Sequence, residues 1–258
     1  MHGIIVLKCG GSTVDGLSDR FFANILSLKK AGLQPVLVHG GGPAIKEMLT
    51  MLEMESEFVD GLRKTTKPTM DVVEMVLTGQ VNNALTRKLN RAGIPSVGLS
   101  GSDAGLLTAK AKDFNRYGYV GEVEGVNVSF LMDLINLGTV PIIAPIALDE
   151  DGARYNINAD TAAGAVAKAL AAEQLIFVTD VPGVMQDDHL LESITEIEIE
   201  NLIAEGTIYG GMIPKVRAAV ASLTDELEEV MIVDGRQSKL SEDTKLVGTI
   251  IKKAVGVV

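Results

Sequence analysis

Residues 4–11 read IIVLKCGG: four apolar residues, a lysine, a cysteine and two glycines. A strand with one wet face alternates polar and apolar side chains, whereas a strand covered on both faces is a near-continuous apolar run. Ile4 to Leu7 are of the second kind. They predict a buried strand that carries the cation of Lys8 to its own end and passes into a turn of two glycines. The pattern recurs, with PVLVH (35–39) running into GGGP and QLIFVTD (174–180) running into VPG. Between the first two strands the helical period is clear from about Ser18 to Ala31. Strand, glycine loop, helix, strand and glycine loop form a β-α-β pattern, which predicts an α/β protein built on a parallel sheet.

Working outward, a helix is expected from Pro43 to about Leu52, followed by the polar stretch DGLRKTTKP (60–68) and a long helical run from about Thr69 to Ala92. The strand IPSVGLSG (94–101) comes next. Residues 106–128, LLTAKAKDFNRYGYVGEVEGVNV, alternate more and are richer in glycine, and read as an antiparallel insertion over the main sheet. A helix near Ser129 to Leu137, the strand VPIIAPIA (140–147), and RYNINAD (154–160) feeding an alanine-rich helix complete this part. The remainder holds a helix near Ile197 to Glu205, the YGGMIPK loop (209–215) with its helix, and the strand EVMIVDG (229–235). Any boundary between lobes is expected near Leu170 to Glu173, giving residues 1–172 and 173–258 over one continuous sheet.

Composition narrows the class. The 258 residues are 47% hydrophobic but only 4% aromatic, with no tryptophan, which suits parallel strands covered by helices. Lys plus Arg number 23 against 34 Asp plus Glu, a net charge of −11. Nucleic acid is therefore not an expected partner, and an anionic ligand must be held by local cations. The single cysteine, Cys9, has no partner for an intramolecular disulfide and reads as a small buried apolar residue. No apolar run is long enough for a membrane helix, and the first strand begins almost at once. A cytoplasmic protein without a membrane partner is the expectation.

Glycine loops at the carboxyl ends of strands let backbone N–H groups approach phosphate or carboxylate oxygens, at the edge where open α/β sheets bind ligands. Each such loop alone also makes an ordinary tight turn; three of them favour a binding site. The P-loop pattern G-x-x-x-x-G-K-[ST] is absent, and HGGGPAI (39–45) lacks the third small residue of a dinucleotide fingerprint. Lys8, Arg63 and Lys215, read together with the glycine loops, resemble an anion clamp, although a solvated charge is the default for each. Asp160 follows Asn156 and Asn158 at spacing two, which in a strand puts all three on one face; as a helix start it also reads as an N-cap. His39 invites a general-base role. Were the clamped anion a phosphoryl group passing to a carboxylate, no base would be needed, since that acceptor is already ionised near neutral pH, and His39 is read as structural.

Taken in order, KCGGS (8–12), LVHGGGP (37–43), DGLRKT (60–65), GLSGSDAGLLTA (98–109), YNINADTAA (155–163), TDVPGV (179–184), GGMIPKV (210–216) and VGTII (247–251) resemble the amino acid kinase superfamily, and within it the N-acetyl-L-glutamate kinase branch. The likeness runs the length of the chain. One departure is Ala104, where a second glycine is usual. The resemblance implies a three-layer αβα sandwich around a mainly parallel eight-stranded sheet, with an amino-terminal lobe for the amino acid and a carboxyl-terminal lobe for the nucleotide. It implies transfer of the γ-phosphoryl group of ATP to the side-chain carboxylate of N-acetyl-L-glutamate. Carried over, Lys8 and Lys215 would stabilise charge on the transferring group, and Asp160 would organise both lysines. Gly41, Gly42, Arg63 and Asn156 would bind the amino acid. Asp180, Val181, Pro182, Gly183 and Val184, with Tyr209 and Gly210, would line the nucleotide site, and Gly11 would lie near its phosphates. Mg²⁺ would be held mainly through the ATP phosphates, with no metal ligands assigned among the residues.

Related kinases of acetylated aminoadipate, glutamate, aspartate, carbamate or UMP remain open as alternatives, as do a nucleotide-dependent oxidoreductase and a non-catalytic amino-acid sensor. Arginine-inhibited members of the branch carry an extra amino-terminal helix that builds a hexamer. Only Met1 and His2 precede GIIVLKCGG, so an arginine-insensitive homodimer is expected, joined through Val72, Val73, Val76 and Leu77 of the long helix.

Overall fold

The computed structural model describes residues 3–224, 227–241 and 245–254. Its central sheet has eight strands, ordered Ser193–Thr195, Gly248–Lys252, Glu229–Asp234, Gln174–Thr179, Ile4–Cys9, Gln34–His39, Val140–Ala144 and Ser96–Ser100. Neighbours pair in parallel except Glu229–Asp234 with Gly248–Lys252, which is antiparallel. The mainly parallel sheet inferred from residues 4–11 is thus present, and Ile4–Cys9 lies inside it with partners on both sides.

Period-two alternation along these strands creates two cores. Ile5, Leu7, Cys9, Leu37 and Val178 face one way, into the helices Asp19–Lys30, Gly42–Met51 and the long run that starts at Lys67. Val6, Val36, Val38, Leu175 and Phe177 face the other, into Val128–Asn136, Ala159–Ala169, Glu196–Ala204 and Met212–Ala221. Helices on both faces of one sheet make the three-layer sandwich. Burying both faces is why the strands could be read as unbroken apolar runs.

Several expectations change in detail. VPIIAPIA is two strands, not one: Val140–Ala144 stays in the main sheet, while Ile146–Leu148 joins a second sheet after Pro145. That second sheet is a closed ring of Arg154–Ile157, Val120–Val126, Leu107–Ala111 and Ile146–Leu148. Its pairs alternate between parallel and antiparallel, so the insertion is not purely antiparallel. The long helix begins at Lys67, capped by the Thr66 side chain, and its middle, Met75–Asn82, is π-helical before α-helix resumes over Asn83–Arg91. Val72, Val73, Val76 and Leu77, expected at a subunit contact, are buried in the chain's own core. The short hairpins Phe58–Val59 with Leu62–Arg63 and Met185–Gln186 with His189–Leu190 carry too few residues to show a period.

Candidate active site

Lys8 hangs from the carboxyl edge of the sheet because of where its strand ends. Lys8 is the penultimate residue of Ile4–Cys9, in register with Phe177 and Val38. Its ammonium lies 5.5 Å from the Phe177 ring centroid and 2.8 Å from Asp160 Oδ1. The geometry is that of an ion pair without a well-directed hydrogen bond, and among the described residues that buried oxygen has no hydrogen-bond partner. The Lys8 side chain is only 16% exposed, so its charge is poorly screened and acts strongly on a neighbouring anion.

Asp160 does not cap its helix. Asn158 does: its Oδ1 accepts from the Asp160 and Thr161 backbone N–H groups at 2.8 and 3.1 Å. The strand ends at Ile157, so Asn158 and Asp160 are not on a strand face with Asn156. With the cap supplied by Asn158, the carboxylate of Asp160 is left for Lys8. Of the two lysines expected to be organised by Asp160, the structure places Lys8 against it. Lys215, in the first turn of Met212–Ala221, donates instead to Asp180 Oδ1 at 2.6 Å. This bond to the ammonium is the main reason the Asp180 carboxyl lies below its usual pKa.

Gly11 and the Gly40–Gly42 loop meet face to face. A Cβ on Gly11 would sit 2.7 Å from the nitrogens of both Gly41 and Gly42, so only glycine permits the approach. The loop opens the helix Gly42–Met51 at Gly41, where no side chain caps the first turn. Uncapped first-turn N–H groups and the helix dipole favour an anion there. Beside them is a cavity of about 180 Å³ lined by Gly41, Gly42, Arg63, Leu77, Asn156 and Asn158, among others. Arg63 is buried, donates from Nη2 to the Gly42 carbonyl at 3.1 Å and from Nη1 to the Ser56 hydroxyl, and lies 4.7 Å over the Phe58 ring. Burial lowers its pKa, yet a guanidinium stays charged. Asn156 donates to Thr65 Oγ1 at 3.2 Å.

On the other side of the sheet edge is a larger cavity of about 640 Å³. Val181, Pro182, Gly183, Val184, Tyr209 and Lys215 line it, together with Thr207 and Met212. Its size falls in the range of small-molecule sites, roughly 300–1,000 Å³. The uncapped start of Met212–Ala221 opens here, a second helix N-terminus suited to phosphate. Asp180, Gly210 and Gly11 are not part of its lining; Asp180 accepts from Lys215, which is, and Gly210 is the turn between two lining residues, with φ +54°.

His39 is wholly buried. Its Nδ1–H donates to the Gly40 carbonyl at 3.0 Å, and Nε2 accepts from Asn82 Nδ2 at 3.0 Å. Burial pushes its pKa down to about 4, so the ring is neutral and closed to proton transfer. Cys9, beside it in register, is buried with its thiol pushed up to about 12, chiefly by loss of solvent, which makes it inert. The sequence reading missed Asn82, Ser56, Phe58 and Thr65, and it named Asn158 without its capping role. Only Asn158 left a signal, since asparagine is a favoured N-cap and stands just before the alanine-rich run.

The family model described as the amino acid kinase family matches residues 3–234. Acetylglutamate kinase from Halalkalibacterium halodurans is 55% identical over 255 residues, covering 99% of this chain and 98% of the relative. The acetylglutamate kinase of Geobacillus stearothermophilus is 52% identical over 257 residues, covering 100% and 99%. A crystal structure of the protein smu.665 from Streptococcus mutans superposes with a TM-score of 0.83 at 35% identity, covering 96% of this chain and 98% of that one. The lysine at the end of a buried strand, the glycine loops and the sandwich that presents them therefore have a common origin: the chain belongs to the amino acid kinase family.

Proposed function

We infer that the chain transfers the γ-phosphoryl group of ATP to the side-chain carboxylate of N-acetyl-L-glutamate, a step of arginine biosynthesis. Relatives of this name, more than half identical over nearly the whole chain, support the reaction. The structural observation that carries it is one small and one large cavity at the same sheet edge, with the ion-paired ammonium of Lys8 at the end of a central strand.

The large cavity suits ATP, with Val181 to Val184 and Tyr209 beside the nucleoside and Lys215 with the start of Met212–Ala221 toward the phosphates. The small cavity suits the acetylated amino acid. Of the five N–H donors of Arg63, its contacts with Ser56 and Gly42 use two, leaving others for a carboxylate. Gly41, Gly42 and Asn156 supply further donors. During transfer, negative charge spreads over the oxygens of the phosphoryl group, and positioning plus electrostatic stabilisation carry catalysis. Lys8 meets that charge from the sheet and Lys215 from the opposite cavity wall. Asp160 fixes the direction of Lys8, and Asp180 that of Lys215. The acceptor carboxylate attacks as it stands, without a base.

Mg²⁺, when bound, adds positive charge to the phosphates of ATP. The carboxylates of Asp160 and Asp180 are each engaged by a lysine, and no cluster of three His, Cys, Asp or Glu residues is found among the described residues. Such a donor set fits an ion held chiefly through phosphate and water.

The small cavity is lined only by residues before 173 and the large one only by residues after it, which supports two lobes, 1–172 and 173–258. They share the sheet through Ile4–Cys9 and Gln174–Thr179. Among the described residues no helix is long and apolar enough to cross a membrane. For the setting we propose a homodimer in the cytoplasm, with Met75, 59% exposed on the long helix, at the contact. Measuring ADP release against N-acetyl-L-glutamate, N-acetyl-L-aspartate, N-acetyl-L-aminoadipate and free glutamate tests the reaction. The highest kcat/KM belongs to N-acetyl-L-glutamate; a higher value for any other acceptor overturns the assignment.

A further inference from the structure

The π-helical turn in the long helix has a placement that the reaction does not by itself require. It spans Met75–Asn82 and presents three side chains to one spot. Leu77 and Val81 press on Gly41: a Cβ there would lie 2.5 Å from Leu77 Cδ2 and 3.3 Å from Val81 Cγ2. Asn82, buried at the end of the turn, reaches three acceptors with the two N–H groups of Nδ2: His39 Nε2 at 3.0 Å and the Ile142 carbonyl at 2.8 Å, with the Leu99 carbonyl at 3.3 Å sharing one of them. It thus ties the end of the strand Gln34–His39 to the strands Val140–Ala144 and Ser96–Ser100. His39 passes the constraint on, because its Nδ1–H holds the Gly40 carbonyl at 3.0 Å.

The orientation of one peptide carbonyl sets the direction of the next N–H, since the peptide unit is planar. Holding the Gly40 carbonyl therefore fixes the Gly41 N–H, at the entrance to the helix Gly42–Met51 and at the wall of the small cavity. Glycines have the widest backbone freedom of any residue, so a loop of three would sample many orientations without such a hold. Gly98 completes the arrangement: a Cβ there would fall 2.0 Å from Asn82 Oδ1 and 2.7 Å from Thr86 Oγ1. The missing side chain at position 98 is the space that Asn82 fills.

We propose that Asn82 is a positioning residue for the amino-acid substrate: acting through His39, it locks the Gly40–Gly42 loop in the orientation that receives N-acetyl-L-glutamate. Insertion of a single π turn is a recurrent way to re-aim a side chain at functional sites, and here it aims Asn82 inward beside Val81. Neither residue touches the large cavity, so the effect is confined to one substrate. The proposal rests on the reading of the small cavity as the amino-acid site.

Two variants reach the device from different sides. Asn82→Leu keeps the volume and removes the donors; Gly98→Ala leaves Asn82 in the chain but displaces it. Each is expected to raise KM for N-acetyl-L-glutamate about tenfold or more, with KM for ATP unchanged within twofold and kcat reduced far less than kcat/KM. Equal changes in both KM values, or a kcat loss with both KM values intact, in variants that unfold cooperatively, would overturn it. A readout that needs no substrate separates this from the functional assignment. In ¹⁵N NMR of the free enzyme, wild type should show His39 as the neutral Nδ1–H tautomer, and both variants should shift the Gly41 and Gly42 amide resonances and speed their hydrogen exchange. Unshifted amides with unchanged exchange in either variant refute the lock even if the acceptor proves to be another carboxylate.

Discussion

His39 sits one residue from a glycine loop yet takes no part in proton transfer, because its surroundings settle its charge. With a pKa of about 4 in the folded chain against about 6.5 for a free imidazole, protonation favours the unfolded state. The stabilisation is complete above pH 6.5 and is lost as pH falls toward 4. At 1.36 kcal/mol per unit the loss is roughly 3 kcal/mol. That full loss is reached only below pH 4, so urea unfolding of wild type and His39→Gln at pH 7 and at pH 4.5 should show the wild type losing more stability by roughly 2.4 kcal/mol; parallel losses would contradict it. Ala104 poses the opposite problem, an ordinary residue in a glycine conformation, with φ 52° and ψ 26°. The left-handed region costs an L-residue on the order of 1–2 kcal/mol, part of which glycine gives back as extra freedom in the unfolded chain. Ala104→Gly should therefore raise the urea midpoint, by roughly 0.5–1 kcal/mol in stability at unchanged m, and a lower midpoint would show that the turn is not strained.

The long helix shows what a pattern of residues discloses and what it hides. Its inward positions run Thr69 and Met70, Val72 and Val73, Val76 and Leu77, then Val81 and Asn82, Leu85 and Leu89. The adjacent pairs 72/73, 76/77 and 81/82 step first by four and then by five, and the π turn absorbs the extra residue. The apolar stripe announced a helix correctly, but it was legible as an outward face because amphipathic period does not say which neighbour covers the stripe. That depends on the sheet beneath. Gly79 lies on the exposed side of the turn with open space where a Cβ would go, and its φ is not positive. Gly79→Ala should raise stability by about 0.5–1 kcal/mol without altering either KM; thermal unfolding checks this, and a lower Tm would show that the π turn needs glycine. Similarly, NINAD was read as strand plus cap, because an aspartate at a helix start and an asparagine before it are both good caps. Only the end of the strand at Ile157 decides that Asn158 caps and Asp160 is free for Lys8.

Across the whole molecule, buried parallel strands make both the fold and the site readable, since each apolar run that ends in Lys8, His39 or Asp180 marks the same edge of one sheet. Lys8 and the glycine loops were therefore legible, and Arg63 stood out as a cation beside them; of the large cavity's lining the family resemblance supplied Val181 to Val184 and Tyr209, while Met185 to Asp188 and Gly206 to Ile208 left no signal. The pairing of cations with anions was not, because Asp160 and Asp180 approach different lysines by the packing of two helices that no spacing encodes. In the proposed reaction the two ion pairs would serve one end, each holding an ammonium group where phosphoryl charge develops, and such a preorganised donor is worth about a hundredfold or more in rate. Lys8 stands at the centre of the arrangement, so it carries the central claim. The decisive measurement is steady-state phosphorylation of N-acetyl-L-glutamate by Lys8→Ala under saturating ATP and Mg²⁺, with circular dichroism confirming the fold. A kcat lower by about a hundredfold or more, with both KM values within a few-fold of wild type, is the result predicted; an unchanged kcat with a raised KM would make Lys8 a binding residue and contradict the account.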